Sequence, residues 1–182
     1  MRKIISKEDK EKKDKKNQLI IGSILMFILI FGTIGYAFNR DSNNGNNQNI
    51  EYNGIEFIKN NGKWYFELNK VYSTTYNPEE INISFNIEKK LNDYKNKPLY
   101  LVGGNDEARY ELLSNLNGIY SRYQDACLED CEEDFPIKNC SDNIIIFQKG
   151  DNKIYQEDNC VFIQGDEIKS ADAFLFKILD IT

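Results

Sequence analysis

The sequence predicts an α+β protein in which an N-terminal transmembrane helix is followed by one mixed-sheet domain with an N-terminal β-meander and two main helices. Three patterns support this fold class. Residues 19–38 form an uninterrupted apolar run, the next segments alternate apolar and polar residues, and the rest alternates strand-like with helix-like stretches. At about 1.5 Å per helical residue, the apolar run is long enough to span the roughly 30 Å hydrocarbon core of a bilayer.

The charges that flank the apolar run predict its orientation. Residues 1–18 carry eight Lys or Arg residues and four acidic ones, so this tail has a net charge of +4 although the whole chain has −6. Because Lys and Arg next to a membrane helix prefer the cytoplasmic side, we expect the N-terminus inside and the acidic remainder outside. The predicted order in the cell membrane is a cytoplasmic tail at 1–18, a single-pass transmembrane helix at 19–38, a flexible linker at 39–49 and an extracytoplasmic domain at 50–182.

A cleaved signal peptide is the alternative interpretation of the same segment. Gly35, Tyr36 and Ala37 resemble a small-x-small cleavage site. However, the apolar run is longer than the roughly 7–15 residues of a signal-peptide apolar region, and the tail before it is long and mixed in charge. We therefore favour an uncleaved signal-anchor that holds the protein in the lipid bilayer.

Turn signals divide the first third of the outer domain into β-strands. Asn53-Gly54 and Asn60-Asn61-Gly62 suit tight hairpin turns, because Asn and Gly tolerate the positive φ that those turns need. Residues 55–58 and 64–68 lie between and after these turns, and alternate residues of the second segment are expected to face the core. These strands form the predicted meander.

The remainder of the domain alternates between the two kinds of element. Residues 81–87 have the strictest period-two alternation in the chain, which predicts a strand with one buried face. We expect a long helix from Asp106 to Cys127 and a closing helix capped by Ser170, since both segments carry an apolar stripe at helical spacing. The shorter predicted elements are a helix at 88–94 and strands at 99–102, 143–147, 153–156 and 160–163.

The four cysteines all lie in the outer domain, which predicts two disulfides on an oxidising side of the membrane. Cys127 is expected on the inward stripe of the long helix, from which it could reach Cys160, and Cys131 would then pair with Cys140. A structural zinc site is the alternative, but only one spacing is as short as those in paired zinc knuckles. A thioredoxin-like redox site needs C-x-x-C, which the sequence lacks.

The absence of histidine limits the chemistry that the chain can perform. It excludes a Ser-His-Asp triad, a Cys-His nucleophile pair and zinc sites that contain histidine. No motif assigns a catalytic residue, a cofactor site or a metal ligand, so the sequence favours a protein that is not an enzyme. The net charge of −10 on residues 19–182 also argues against nucleic acid as a partner, because phosphate contacts need a basic face.

Two further motifs have an ordinary structural interpretation beside a functional one. Gly103-Gly104-Asn105 stands between a strand and a helix, where backbone amides can hold phosphate, but it matches no nucleotide-binding motif, so we expect a simple turn. An acidic run offers the oxygen ligands that calcium prefers but lacks the framework of a calcium loop, so we expect a solvated surface. The members of this run are Asp125, Glu129, Asp130, Glu132, Glu133 and Asp134.

The sequence as a whole predicts a single-pass membrane-anchored protein that presents an acidic, disulfide-stabilised domain for binding or assembly with a protein partner at the outer surface. A carboxylate-based envelope enzyme, such as a glycan hydrolase, is the first alternative, because two acidic residues suffice for that chemistry. A deep pocket that holds two close, partly buried carboxylates would favour this alternative. The second alternative is a structural subunit of a membrane complex in which the apolar helix itself packs on partners.

Overall fold

The computed structural model of the protein describes residues 48–131 and 134–182. The predicted tail, the predicted transmembrane helix and all but the last two residues of the predicted linker lie outside the described residues, so these assignments stay predictions. No helix in the described part combines the length and the apolar composition that a membrane crossing needs. The same residues confirm the α+β class, but they form two sheets where the sequence predicted one mixed sheet.

The first sheet is a four-stranded antiparallel meander whose strands follow each other in chain order. Its tight turns place Asn53 and Gly54, and again Asn61 and Gly62, at positive φ, as expected for hairpin turns of this composition. The predicted meander is present, with an additional first strand that begins inside the predicted linker. The sequence predicted one strand from Trp64 through Val71 to Tyr76, but the chain reverses after Glu67 and Val71–Thr74 pairs with β3 as a separate strand. The strands are β1 (Asn49–Tyr52), β2 (Ile55–Asn60), β3 (Lys63–Glu67) and β4 (Val71–Thr74).

The second sheet is six-stranded and mixed. Its strands are β5 (Ser84–Asn86), β6 (Pro98–Val102), β7 (Arg122–Asp125), β8 (Ile144–Gln148), β9 (Lys153–Glu157) and β10 (Cys160–Gln164). The spatial order is β5-β9-β10-β8-β6-β7, and the four strands from β10 to β7 are mutually parallel. Of the predicted strand at 81–87 only β5 pairs with a neighbour, although burial alternates along the whole segment.

Three α-helices complete the described fold: α1 (Leu91–Tyr94), α2 (Asp106–Leu116) and α3 (Glu167–Ile178). The predicted extension of the long helix to Cys127 is wrong. Helix α2 ends at Leu116 and is followed by Gly118 at a φ of 79°. Because glycine adopts this left-handed conformation without steric cost, it ends the helix, and the chain turns back to form β7.

The closing helix begins three residues earlier than the predicted cap at Ser170. Asp166 is the cap, and its side chain accepts a hydrogen bond of 3.1 Å from the backbone N–H of Lys169. Ser170 is buried inside the helix and donates its hydroxyl to the carbonyl of Gln164 at 2.9 Å. Its hydroxyl therefore ties α3 to the end of β10 and does not start the helix.

Helix α3 lies between the two sheets. Phe174 and Ile178 pack into the core that the helices form with the six-stranded sheet. Phe176, on another face of the same helix, packs against Phe57 and Phe66 of the meander, with ring centroids 6.0 and 5.8 Å apart. A helix that is apolar on more than one face must be covered on more than one side, so α3 is the shared centre of both cores.

The two disulfides confirm the predicted state of the cysteines, but the predicted pairing is wrong. Cys127 bonds to Cys131 and Cys140 bonds to Cys160, with Cα–Cα distances of 6.3 and 4.8 Å. Cys127 follows the edge strand β7, three strand spacings from β10, which begins at Cys160. At about 4.8 Å per spacing that separation is roughly 14 Å, which no disulfide can bridge.

We predict that the two disulfides differ in their contribution to stability. The Cys140–Cys160 bond closes a separation of 20 residues and the Cys127–Cys131 bond one of 4. Loop-closure entropy therefore predicts that the double variant C140A/C160A lowers the free energy of unfolding by about 3 kcal/mol, and C127A/C131A by about 2 kcal/mol. Urea unfolding measures both values. A non-reducing peptide map that joins Cys127 to Cys160 would contradict the pairing.

Candidate functional site

Two carboxyl groups meet in the interior, between the meander and the helices. Glu111 on α2 and Asp172 on α3 are 3% and 0% exposed. The sequence analysis selected neither residue as a candidate site, because their neighbours in the sequence are apolar. Glu111 is next to Leu112, and Asp172 lies between two buried alanines. Buried acids without partners are costly, so their contacts decide what this pair does.

Both carboxyl groups bind the chain just after β4. The backbone N–H of Thr75 donates to Glu111 and also to Oδ2 of Asp172, the second bond being 3.0 Å long. The N–H of Tyr76 donates to the same Oδ2 at 2.8 Å. The hydroxyl of Thr75 donates to Oε2 of Glu111 at 2.8 Å, and Lys63 forms an ion pair with Glu111.

A third side chain extends this pattern along β4. Asn115, one helical turn after Glu111, accepts a hydrogen bond of 2.9 Å from the N–H of Ser73. It donates one of 2.7 Å to the carbonyl of the same residue. Asn115 thus satisfies both backbone groups of Ser73 on the edge of the meander that faces no further strand. We call Glu111, Asn115 and Asp172 the β4 edge cluster.

The β4 edge cluster holds a proton at neutral pH. Burial, together with the hydrogen bond and charge of the neighbouring Glu111, raises the pKa of Asp172 to about 9. Asp172 is therefore neutral, whereas Glu111 has the ammonium group of Lys63 beside it. Because Asp172 is neutral, the buried space between the meander and the helices does not hold two negative charges side by side.

The β4 edge cluster does not form a pocket for a substrate. Three of the four carboxyl oxygens accept hydrogen bonds from the backbone, from Thr75 or from Lys63, while Oδ1 of Asp172 is buried without a partner among the described residues. Neither carboxyl lines the cavities that we describe for this part of the chain. Glycoside hydrolysis requires two carboxyl groups on opposite sides of a bound sugar. These two acids instead join the meander to the helices, so they give no support to the alternative of a carboxylate enzyme.

The glycine-rich turn between β6 and α2 is filled by the protein itself. Gly103 and Gly104 have φ values of 67° and 87°, and a Cβ at Gly104 would lie 2.6 Å from the ring of Phe147. The N–H of Asn105 donates to the carboxylate of Glu167 at 2.5 Å. An internal carboxylate thus occupies the position where a phosphate would bind, and the glycines serve close packing against Phe147.

The acidic run is dispersed in the structure. Asp125 forms an ion pair with Arg109 of α2, whereas Glu129, Asp130 and Asp134 are exposed. Glu132 and Glu133 lie outside the described residues. Within residues 48–131 and 134–182, no three His, Cys, Asp or Glu side chains are grouped so that they could hold a metal ion.

The loop that contains the first disulfide exposes an apolar surface. Leu128, Phe135 and Ile137 are 38%, 42% and 62% exposed, and we call them the disulfide-loop surface. Backbone pairing joins the two ends of this loop, because Cys127 and Ile137 form a parallel bridge. In this bridge Cys127 donates its N–H to the carbonyl of Pro136 at 3.1 Å. Three large apolar side chains are therefore presented to solvent on a cross-linked support.

A group of polar cavities lies at the end of the six-stranded sheet where β6, β8 and β10 begin. Three cavities have volumes of about 260, 270 and 330 Å³, and the second shares lining residues with each of the other two. Lys89 lines the second of these cavities although the residue is only 6% exposed. We call this cavity the Lys89 cavity.

The amine of Lys89 has polar neighbours but no acidic partner. It donates a hydrogen bond to Oδ1 of Asn143 and lies 5.1 Å from the ring centroid of Tyr94. Among the described residues no carboxylate is within 4.0 Å of it. Burial lowers the pKa of Lys89 to about 8, in spite of the opposing charge of Asp93.

The structure brings together residues that sequence reasoning did not select. It joins the four predicted cysteines in pairs, but the β4 edge cluster and Lys89 were both missed. A signal for Asp172 was present, since a single acid inside the apolar segment 171–176 must be buried with partners or without charge. No protein-family model, no curated protein and no solved structure matches this chain.

We predict that the glycine turn is needed for packing. Replacing Gly104 with alanine combines a positive φ with a clash against Phe147, so G104A should lower the free energy of unfolding by about 2–3 kcal/mol. Gly118 is the matched control, because it has a similar φ and open space around its Cα. G118A should cost only about 1 kcal/mol. Equal losses in chemical denaturation of the two variants would contradict the packing role.

We predict that Asp172 makes stability depend on pH. Its pKa is 3.8 when unperturbed and about 9 in the fold, so between these values the native state holds a proton that the unfolded chain has released. The stabilisation is therefore complete below about pH 4 and is lost as the pH rises through 9. In D172N this dependence should be absent, because the amide does not titrate. Urea unfolding of both proteins between pH 5 and 9 measures the slopes.

The substitution D172A provides the control for this experiment. Alanine leaves the N–H groups of Thr75 and Tyr76 without their buried acceptor, so it should be about 2–3 kcal/mol less stable than D172N. If D172N keeps the slope of the unchanged protein between pH 5 and 8, another group titrates and the assignment is wrong.

Proposed function

We propose that this chain is a single-pass protein of the cell membrane whose acidic, disulfide-bonded domain binds or assembles with a protein partner outside the cytoplasm. Residues 19–38 would be its anchor and residues 1–18 its cytoplasmic tail. The pairing of all four cysteines supports this location, since structural disulfides persist in oxidising compartments.

The disulfide-loop surface is the observation that carries the binding role. Leu128, Phe135 and Ile137 expose three large apolar side chains within ten residues of sequence, and exposed apolar patches are typical of contact surfaces between proteins, whereas single exposed apolar residues are common anywhere. Phe135 and Ile137 stand on a segment that is paired with Cys127, so binding would require little ordering of the loop.

The charges near the disulfide-loop surface describe the kind of partner that it fits. Glu129, Asp130 and Asp134 are exposed on the same loop. A loop that exposes both apolar and acidic side chains is complementary to a protein surface that presents apolar side chains together with Lys or Arg. The partner of this proposal is therefore a cationic protein surface.

Site-specific photocrosslinking in intact cells tests this proposal. A photoreactive amino acid at Ile137 should give a discrete adduct of higher mass that stays with the membrane fraction and is degraded by protease added outside. The same amino acid at Lys149, which is exposed on the turn between β8 and β9, is the control and should give no such adduct.

A variant separates binding from folding in the same experiment. F135S, with the photoreactive group still at Ile137, should abolish most of the adduct while urea unfolding stays within about 0.5 kcal/mol, because Phe135 is 42% exposed. Equal adducts at Ile137 and Lys149 would contradict a specific surface. Protection of the adduct from external protease would contradict the location.

A further inference from the structure

We propose that Lys89 is a reactive amine that binds a small hydrophilic carbonyl compound, an aldehyde or an oxo acid, as an imine in the Lys89 cavity. This inference does not depend on the membrane location or on the binding role of the disulfide-loop surface. It rests on how the amine is placed, on the cavity that reaches it and on the absence of an acidic partner among the described residues.

The backbone and the side chain of Lys89 are both held in place. The N–H groups of Glu88 and Lys89 donate to the same oxygen, Oε1 of Gln156, at 3.0 and 3.1 Å. At the other end of the side chain, the amine donates to the amide oxygen of Asn143 and lies against the ring of Tyr94. A lysine that is held in this way loses little conformational entropy when it reacts.

The surroundings of the amine favour its neutral, nucleophilic form. A lysine in a protein usually remains charged because water or a carboxylate stabilises the ammonium group. Lys89 is 6% exposed, and its hydrogen-bond partner is an uncharged amide. Burial of the amine, with the charge of Lys97, outweighs the opposing charge of Asp93, and a desolvated amine near another cation is activated for attack on carbonyl carbon.

The size and polarity of the Lys89 cavity determine which class of carbonyl compound can bind there. Its volume is about 270 Å³, and its lining is polar and charged, with Glu88, Asp93, Lys97 and Asn159 among the residues. This composition suits a hydrophilic compound of a few carbon atoms and not an apolar one. The ammonium group of Lys97 is available in the same cavity to pair with the carboxylate of an oxo acid.

Imine formation requires only groups that the cavity contains and water. The lone pair of the neutral amine attacks the carbonyl carbon, while the electron pair of the C=O double bond moves to oxygen. The nitrogen passes one proton to this oxygen, which becomes a hydroxyl group, and water supplies a second proton. The hydroxyl group then leaves as water while the nitrogen lone pair forms the C=N bond of a protonated imine. Glu88 and Asp93 can carry these protons, and the protonated imine can still donate to Asn143.

Reductive trapping on the full chain tests the proposal. The protein is treated with glyoxylate and sodium cyanoborohydride, and peptide mass spectrometry measures the rate at which each lysine acquires a carboxymethyl group. At pH 7 we expect Lys89 to react on the order of tenfold faster than the exposed Lys95 and Lys149, because more of its amine is neutral. Its rate should level off near pH 8.

Matched variants distinguish a site from chemical reactivity alone. K89R replaces the amine with a guanidinium group that does not form an imine, so trapping at this position should be lost, and urea unfolding of the variant checks that it remains folded. K97Q should slow trapping of glyoxylate several-fold but leave trapping of the uncharged glycolaldehyde unchanged, if an oxo acid is the better ligand. If K97Q slows neither reagent, Lys97 does not pair with the carboxylate and the site is assigned to neutral aldehydes instead, which also supports the imine.

Two results would overturn the proposal. Trapping at Lys89 that is slower than at Lys95 and Lys149 would show that the amine is a buried structural cation. A rate at Lys89 that increases linearly with glyoxylate, without saturation, would show that no binding precedes the reaction. Either result leaves the proposed partner surface untouched, because the two sites share no residues.

Discussion

The attachment of side chains from α2 and α3 to the free edge of β4 is the constraint on which the rest of this fold depends. A meander of four strands has two unpaired edges, and buried backbone groups at such an edge need partners. Asn115 satisfies Ser73, while Glu111 and Asp172 satisfy Thr75 and its neighbour. The helices thus take the place of a fifth strand, and the meander is fixed to the remainder of the domain by polar contacts that have a defined geometry.

This attachment explains why the interior contains a proton that an ordinary aspartate would release. Two carboxyl groups converge on Thr75, and a single ammonium group, that of Lys63, reaches Glu111. One of the acids must therefore be neutral, and the more deeply buried Asp172 is the one that keeps its proton. The arrangement resembles a catalytic carboxyl pair in composition but differs in access, since both carboxyl groups are buried, 3% and 0% exposed.

The surfaces that remain available for function lie away from this junction. The disulfide-loop surface follows the edge strand β7, and the Lys89 cavity lies where β6, β8 and β10 begin. The end of the parallel strands that commonly binds ligands in α/β proteins is instead filled by Phe147 and Glu167. Close internal packing at one end of the sheet leaves the loops at its edge and at the opposite end as the places where chemistry or recognition can occur.

The sequence by itself determined the α+β class, the meander with its Asn-Gly turns, most strands of the second sheet and the disulfide-bonded state of the cysteines, because these follow from local periodicity, turn chemistry and cysteine number. It did not determine where α2 ends, since Gly118 acts on the helix only through its positive φ, nor the cysteine pairing, which depends on the order of strands in the sheet. Glu111, Asp172 and Lys89 acquire their properties only in the tertiary structure. Their charge depends on burial and on contacts with segments that are distant in the sequence. The residues that neighbour them in the sequence do not indicate which segments those are.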